Sequence, residues 1–167
     1  AVISPKIVHG EGTLSMTLTP PLYQVSLAKG ASWSSTLKYT NNNDYPVTVN
    51  VSVQNFRAGR DGGVQILPPV TGIDSSEYEL ALWVKYPKEP LVVKPHATEN
   101  IPFMISVPTN AEPGGHYAMM LVGVGGEKKS DGQVLAVDSS VSSLFLVRVA
   151  GDVRELGRIQ DFYADKF

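Results

Sequence analysis

The chain has 167 residues, a formal net charge of -2, 18% charged residues, 12 prolines, 15 glycines and no cysteine. That length suits one domain with a substantial core, and the near-neutral charge gives no electrostatic footprint for a nucleic-acid partner. Without cysteine there are no disulfides and no thiolate metal sites, and no apolar run approaches the roughly 20 residues that span a bilayer. The opening residues, AVISPKIVHGEG, lack a long apolar stretch and do not read as a signal peptide. An exported form would have lost its signal or carried it outside this sequence.

Strand-like alternation begins at Leu14, Met16 and Leu18 and stops at Pro20-Pro21, and a second short run covers Leu22 to Leu27. Two short runs split by prolines predict an interrupted edge strand. Trp33, Leu37 and Tyr39 then share one parity, and the cluster Asn41-Asn42-Asn43-Asp44 predicts a turn. The cleanest period-2 signal follows. Val47, Val49, Val51 and Val53 point one way, with Thr48, Asn50, Ser52 and Gln54 the other, as in a half-buried antiparallel strand.

After the glycine loop Ala58 to Gly63, a short strand is expected over Val64 to Leu67. The segment Asp74 to Val84 combines helical and alternating features, with Ser75 or Ser76 as a cap. It is read as a helical turn passing into a strand near Trp83. Leu91 to Val93 is a brief strand, and Ile101, Phe103, Ile105 and Val107 form another clean alternation ended by Pro108. A polar hairpin loop, Gly126 to Gly132, leads to strands over Val134 to Val137 and Val141 to Val149. Many short strands, frequent turns and almost no helix predict an all-β, immunoglobulin-like antiparallel sandwich of seven or more strands.

The organising element is Pro113 to Gly126, PGGHYAMMLVGVGG. An apolar run bounded by turn residues marks a central strand. Both of its parities are apolar, whereas an ordinary sandwich strand buries one face. Tyr117, Met119 and Leu121 form one row, and Ala118, Met120 and Val122 the other. Either row could face the core. The second row, Ala118, Met120 and Val122, is taken as the candidate interface. Its cover is expected from the loops between Phe56 and Trp83, which carry Ile66, Leu67, Val70 and Ile73, or else from a partner or a following domain.

Catalytic signatures are missing. His9, His96 and His116 lie far apart beside turn residues and read as surface or rim histidines, so no metal site is expected. No serine sits in a nucleophile elbow, the carboxylates are scattered, and neither glycine-rich stretch opens a strand-to-helix phosphate cradle. Asp61-Gly62-Gly63 and Asp131-Gly132 are turn sequences without the ligand series of a calcium loop. A non-enzyme without cofactor follows. Trp33, Tyr39, Trp83, Tyr86 and Tyr117 read first as core aromatics. The sharper alternative places Trp83 and Tyr86, with His116, at a groove for a glycan.

One order of motifs is familiar. Pro20 to Tyr23 (PPLY), the Lys29-Gly30 turn, Trp33-Ser34-Ser35 and Asn41 to Val47 (NNNDYPV) come first. Ile101-Pro102-Phe103, Val107-Pro108 and Pro113 to Tyr117 (PGGHY) follow. This order resembles a family of bacterial extracytoplasmic immunoglobulin-like domains, similar to the N-terminal, peptidoglycan-binding domain of WxL-interacting cell-surface proteins. The resemblance covers roughly Leu14 to Val149. It implies an exported sandwich held at the bacterial envelope or surface, followed by a second immunoglobulin-like domain and a membrane anchor. On this reading residues 1–151 form the domain, and 152–167 are a connector with the first strand of a second domain. The implied partner is cell-wall glycan or another envelope protein, with membrane contact only through an anchor outside this chain. The alternative is a chaperone-like immunoglobulin domain that donates or accepts a strand. Such a domain would need basic anchoring residues, for which scattered positions such as Arg148 are the candidates.

Overall fold

In the computed structural model of the protein the described residues are 14–58, 63–67, 79–124 and 139–153. Ten strands and one helical turn occupy them: β1 (Met16–Thr19), β2 (Leu22–Leu27), β3 (Ser32–Asn41), β4 (Val47–Ala58), β5 (Val64–Ile66), α1 (Leu80–Trp83), β6 (Val84–Lys85), β7 (Leu91–Val93), β8 (Thr98–Ser106), β9 (Gly114–Val124) and β10 (Ser139–Val149). The smaller sheet has the order β1-β3-β8-β6. The larger runs β2-β10-β9-β4-β5, with β7 also on β4. The expected all-β sandwich is the observed fold.

The prolines explain how the first strand is shared. Pro20 and Pro21 lack the N–H that a ladder needs, so the chain leaves the smaller sheet after β1 and joins the larger one as β2. Each half is an edge of its sheet. The expectation of purely antiparallel pairing needs one correction. β2 runs parallel to β10, Leu22 opposite Leu144 through Leu27 opposite Val149. Because the crossover carries β2 onto the other sheet in the same direction as β1, it meets β10 head to head.

The inward rows match the alternation in the sequence. Leu37 and Tyr39 on β3, Val47 and Val49 on β4, and Ile101, Phe103 and Ile105 on β8 are all buried. Phe103 stacks on Phe145 of β10 with centroids 4.8 Å apart, and Tyr23 and Trp33 meet Phe103 edge-on at 5.3 and 5.8 Å. Offset and T-shaped pairs of this kind are the favoured aromatic geometries. On β4 the alternation fades: Val51 and Val53 are only half-buried. The helical turn comes where it was expected and passes into β6 at Val84. Its N-cap, Glu79, makes no side-chain capping bond. The proposed caps Ser75 and Ser76 lie outside the described residues, as do the loop positions Val70 and Ile73, the hairpin loop from residue 126 to 132, the strand Val134 to Val137 and residues 154–167.

The asparagine turn is a polar staple between the sheets. Asn41 Nδ2 donates to the carbonyls of Tyr45 (2.8 Å), Val93 (3.1 Å) and Lys94 (3.1 Å). Its Oδ1 accepts from the Asn43 backbone N–H and side-chain amide at 3.0 and 2.8 Å. Asn43 in turn exchanges two bonds with the backbone of Ser15. Buried amides are tolerated when they are bonded in this way.

Candidate functional site

The candidate residues separate into an inner group and an outer one. Trp83 and His116 come together, but inside. The turn α1 places Leu80 and Trp83 three residues apart on one helical face, and both are buried. The Trp83 ring lies 4.5 Å from the His116 imidazole, tilted by 49°. His116 Nε2 is 2.8 Å from the Glu112 carbonyl, which can only accept, so that nitrogen carries the proton. His116 is buried, not a rim residue. The Gly114-Gly115 pair that marks a turn in the sequence already belongs to β9, and this puts His116 on the inward parity with Ala118. Neither Trp83 nor His116 is available to a sugar, and the glycan groove loses two of its three residues.

Tyr86 stays at the surface. It is half-buried, and Lys88 Nζ sits 3.4 Å above its ring centroid, a cation–π contact. Tyr86 lines an open depression of about 590 Å³ with Ser34, Thr36, Lys85, Pro102 and Met104. It also borders a smaller cavity of about 190 Å³ beside Gln54, Ala81 and Glu79. Burial raises the Glu79 carboxyl above its ordinary pKa. His96 is exposed on the β7–β8 turn and faces Asp44 of the asparagine turn at 2.8 Å. Among the described residues no three histidine, aspartate or glutamate side chains cluster at metal-binding distance.

The candidate interface row is also corrected. Ala118, Met120 and Val122 are wholly buried and form part of the core. They oppose Phe145, Ser143 and Val141 on β10, and small or flexible side chains suit this crowded middle of the sandwich. The outward row is therefore Tyr117, Met119 and Leu121. Tyr117 is 47% exposed, Leu121 is half-buried, and Met119 is buried at 6% exposure.

Register turns this row into a surface. Tyr117 lies opposite Leu146 on β10. On the other side it meets Phe56 of β4, ring centroids 6.1 Å apart, and Phe56 opposes Ile66, itself 48% exposed. Ile66, Phe56, Tyr117 and Leu146 thus form one apolar band across four strands. A second band carries Met119, Leu144 and Leu22. Beyond it the face becomes polar at Ser52 and Ser142. Phe56 and Leu146 were missed in the sequence because each is unremarkable in its own strand, and Ile66 was considered only as loop cover for β9. Only lateral pairing brings them together.

Gly115 completes the arrangement. The Tyr117 phenol lies back over it, in space that a Cβ would fill. Beside it is a depression of about 450 Å³ bounded by Gln24, Ser26, Leu146 and Arg148. Arg148, exposed on β10, is the charged side chain that borders this depression.

No protein-family model matches the sequence, and no curated protein matches it either. Solved structures match in fold. The PapD-like domain 7 of human CEP192 aligns at 9% identity over 92% of this chain and 100% of its own, with a TM-score of 0.50. The class 5 fimbriae chaperone CfaA aligns at 8% identity, 84% and 59% coverage and a TM-score of 0.51. The CsuC–CsuE chaperone and tip adhesion subunit complex of Acinetobacter baumannii matches at 9% identity, 82% and 58% coverage and a TM-score of 0.50. The protein shares the PapD-like, immunoglobulin-like sandwich of these structures. It spans a little over half the length of the two chaperone-system chains. Among the described residues no helix is long and apolar enough to cross a membrane.

Proposed function

We propose that this chain is a non-catalytic binding module on the outer side of a bacterial envelope, and that its partner is a protein. The observation that carries the reading is the apolar band Ile66, Phe56, Tyr117 and Leu146 on the outer face of the larger sheet. Contiguous apolar surface of this kind marks protein–protein contact more often than it marks a soluble face. The burial of Trp83 and His116 turns the balance away from cell-wall glycan. Two further facts support the reading. The motif order resembles exported envelope domains, and the fold is shared with a chaperone solved together with its adhesion subunit. The bacterial surface location rests on that resemblance.

A photo-crosslinking residue placed at Tyr117 tests the module in bacterial envelopes. The expected result is one discrete protein adduct from position 117 and none from Thr36 on the opposite outer face. A glycan partner is favoured by a different observation, the open depression at Tyr86. Sedimentation with purified cell wall that is lost in Tyr86→Ala, with no adduct from position 117, overturns the protein reading in favour of the glycan one.

A further inference from the structure

We propose that β2 is a strand-accepting edge, which pairs with an extended segment of the protein partner. This deepens the protein-binding reading above and rests on it. Sheet edges invite such addition unless they are short, charged, bulged or interrupted by proline. Among the described residues the other edge strands are short: β1 has four residues, β5 and β7 three each, and β6 two. β2 has six residues, LYQVSL, with neither charge nor proline within it, and no described strand pairs with its outer side.

The backbone parity identifies the free groups. The carbonyls of Pro21 and Leu27 accept from the N–H groups of Leu144 and Ala150, so odd-numbered positions are turned toward β10. Successive backbone groups point to opposite edges of a strand. The N–H and C=O of Leu22, Gln24 and Ser26 therefore point away from the sheet, and all three residues are exposed.

The neighbouring seam is open as well. β1 covers only Lys38 to Asn41 of β3, leaving its Ser32–Leu37 stretch uncovered on that side. The gap is bridged by a side chain. The Tyr23 hydroxyl donates to the Thr36 carbonyl at 2.8 Å and accepts from Ser35 Oγ at 3.1 Å. A strand added beside β2 extends the larger sheet past this seam.

The chemistry of the occupant follows from the two faces of β2. Its inward side chains would adjoin Tyr23, Val25 and Leu27, which are half-buried, so they must be apolar and uncharged. Its outward side chains would adjoin Leu22, Gln24 and Ser26. At the Ser26 end stands Arg148, directly opposite in register, which calls for an acidic residue. A second copy of the chain fits less well. The outward positions of its own β2 carry no carboxylate for Arg148.

Two capped eight-residue peptides alternating valine and threonine, one with glutamate near an end and one with lysine there, provide the probe. Added to the domain, the glutamate peptide is expected to slow amide hydrogen exchange at Leu22, Gln24 and Ser26 and to leave Thr17 on β1 unchanged. Gln24→Pro removes a free-edge N–H without touching the bonds to β10, and should weaken binding at least about tenfold. Gln24→Lys serves the same purpose should the proline variant fail to fold. Arg148→Glu should reverse the preference toward the lysine peptide. Unchanged exchange at the three amides, or equal binding by wild type and both Gln24 variants, overturns the edge. So does protection of those amides by self-association without peptide. A crosslink from position 117 that persists while both peptides fail sinks the edge alone, whereas loss of both sinks the module as well.

Discussion

The two sheets are alike on the inside and different on the outside. Inward, each presents a dense apolar row: Leu37, Tyr39, Ile101, Phe103 and Ile105 from the smaller sheet, and Val49, Ala118, Met120, Phe145 and Val147 from the larger. Outward, the smaller sheet is mainly polar: Ser34, Thr36, Lys38, Asn100 and Lys85 are all exposed, with Pro102 and Met104 between them. The larger shows Ile66, Phe56, Tyr117 and Leu146. Closing the sandwich requires only the inward rows. The outward apolar band therefore contributes little to the fold, and its composition reports on what that face meets.

The strongest way to break this comparison is to put one charge on each side of a single strand. Val49→Asp places a carboxylate in a position with 0% exposure and no described partner for it. Burying an unpaired charge should cost roughly 4 kcal/mol, a large part of the stability of a domain this size. Thr48→Asp, one residue away and exposed, should stay within about 0.5 kcal/mol of wild type. Urea titrations of the two variants measure the difference. Equal midpoints would mean that the inward and outward rows of β4 have been confused.

The alternation that makes this prediction possible was legible in the sequence for β3, β4 and β8, where one parity is polar. It failed on β9. With both rows apolar, periodicity cannot choose a direction, and the interface was placed on Ala118, Met120 and Val122, which are core. The choice is made by neighbours distant in sequence. Phe145 on β10 fills the inner side beside Ala118, and Phe56 meets Tyr117 on the outer side. His116 failed for a related reason: its local sequence shows a turn, but not which side of it enters the sandwich, whereas Trp83 fits its first reading as a core aromatic. The sheet switch after β1 was half visible. The prolines announced an interruption, while the parallel partner, β10, lies more than a hundred residues on.

A smaller effect sharpens what joins the two sheets. Asn41 belongs to the smaller sheet, yet its amide bonds the carbonyl of Val93 on β7, a strand of the larger one. Its role was hidden in a run of asparagines that signals only a turn. Asn41→Leu keeps the branched outline of the side chain but removes its bonds to the Tyr45 and Val93 carbonyls and to the Asn43 backbone N–H, at a cost of about 3 kcal/mol. The adjacent Asn42 is exposed and donates to Thr17 Oγ1 at 2.9 Å. Asn42→Ala should cost under about 1 kcal/mol. Thermal melts of the pair test whether the staple depends on the one buried amide or on the turn as a whole.

The smallest expected effect concerns a polar atom left unsatisfied in the inward row of the smaller sheet. Tyr39 has a fully buried side chain whose hydroxyl has no hydrogen-bond partner. Burial without a partner disfavours the charged phenolate and pushes the phenol above its ordinary pKa of 10.0. With a folded pKa above the unfolded one, the associated stability is complete below about pH 10 and is lost as the pH rises through the folded value, because the unfolded chain gives up its proton first. Tyr39→Phe removes both the unsatisfied hydroxyl and the titration. At neutral pH it should stabilise the domain by up to about 1 kcal/mol. Between pH 9 and 11 the wild type should lose stability faster than the variant, in the same titrations run across the pH range. A variant less stable than wild type at pH 7 would show that the hydroxyl has a partner in solution, such as a buried water.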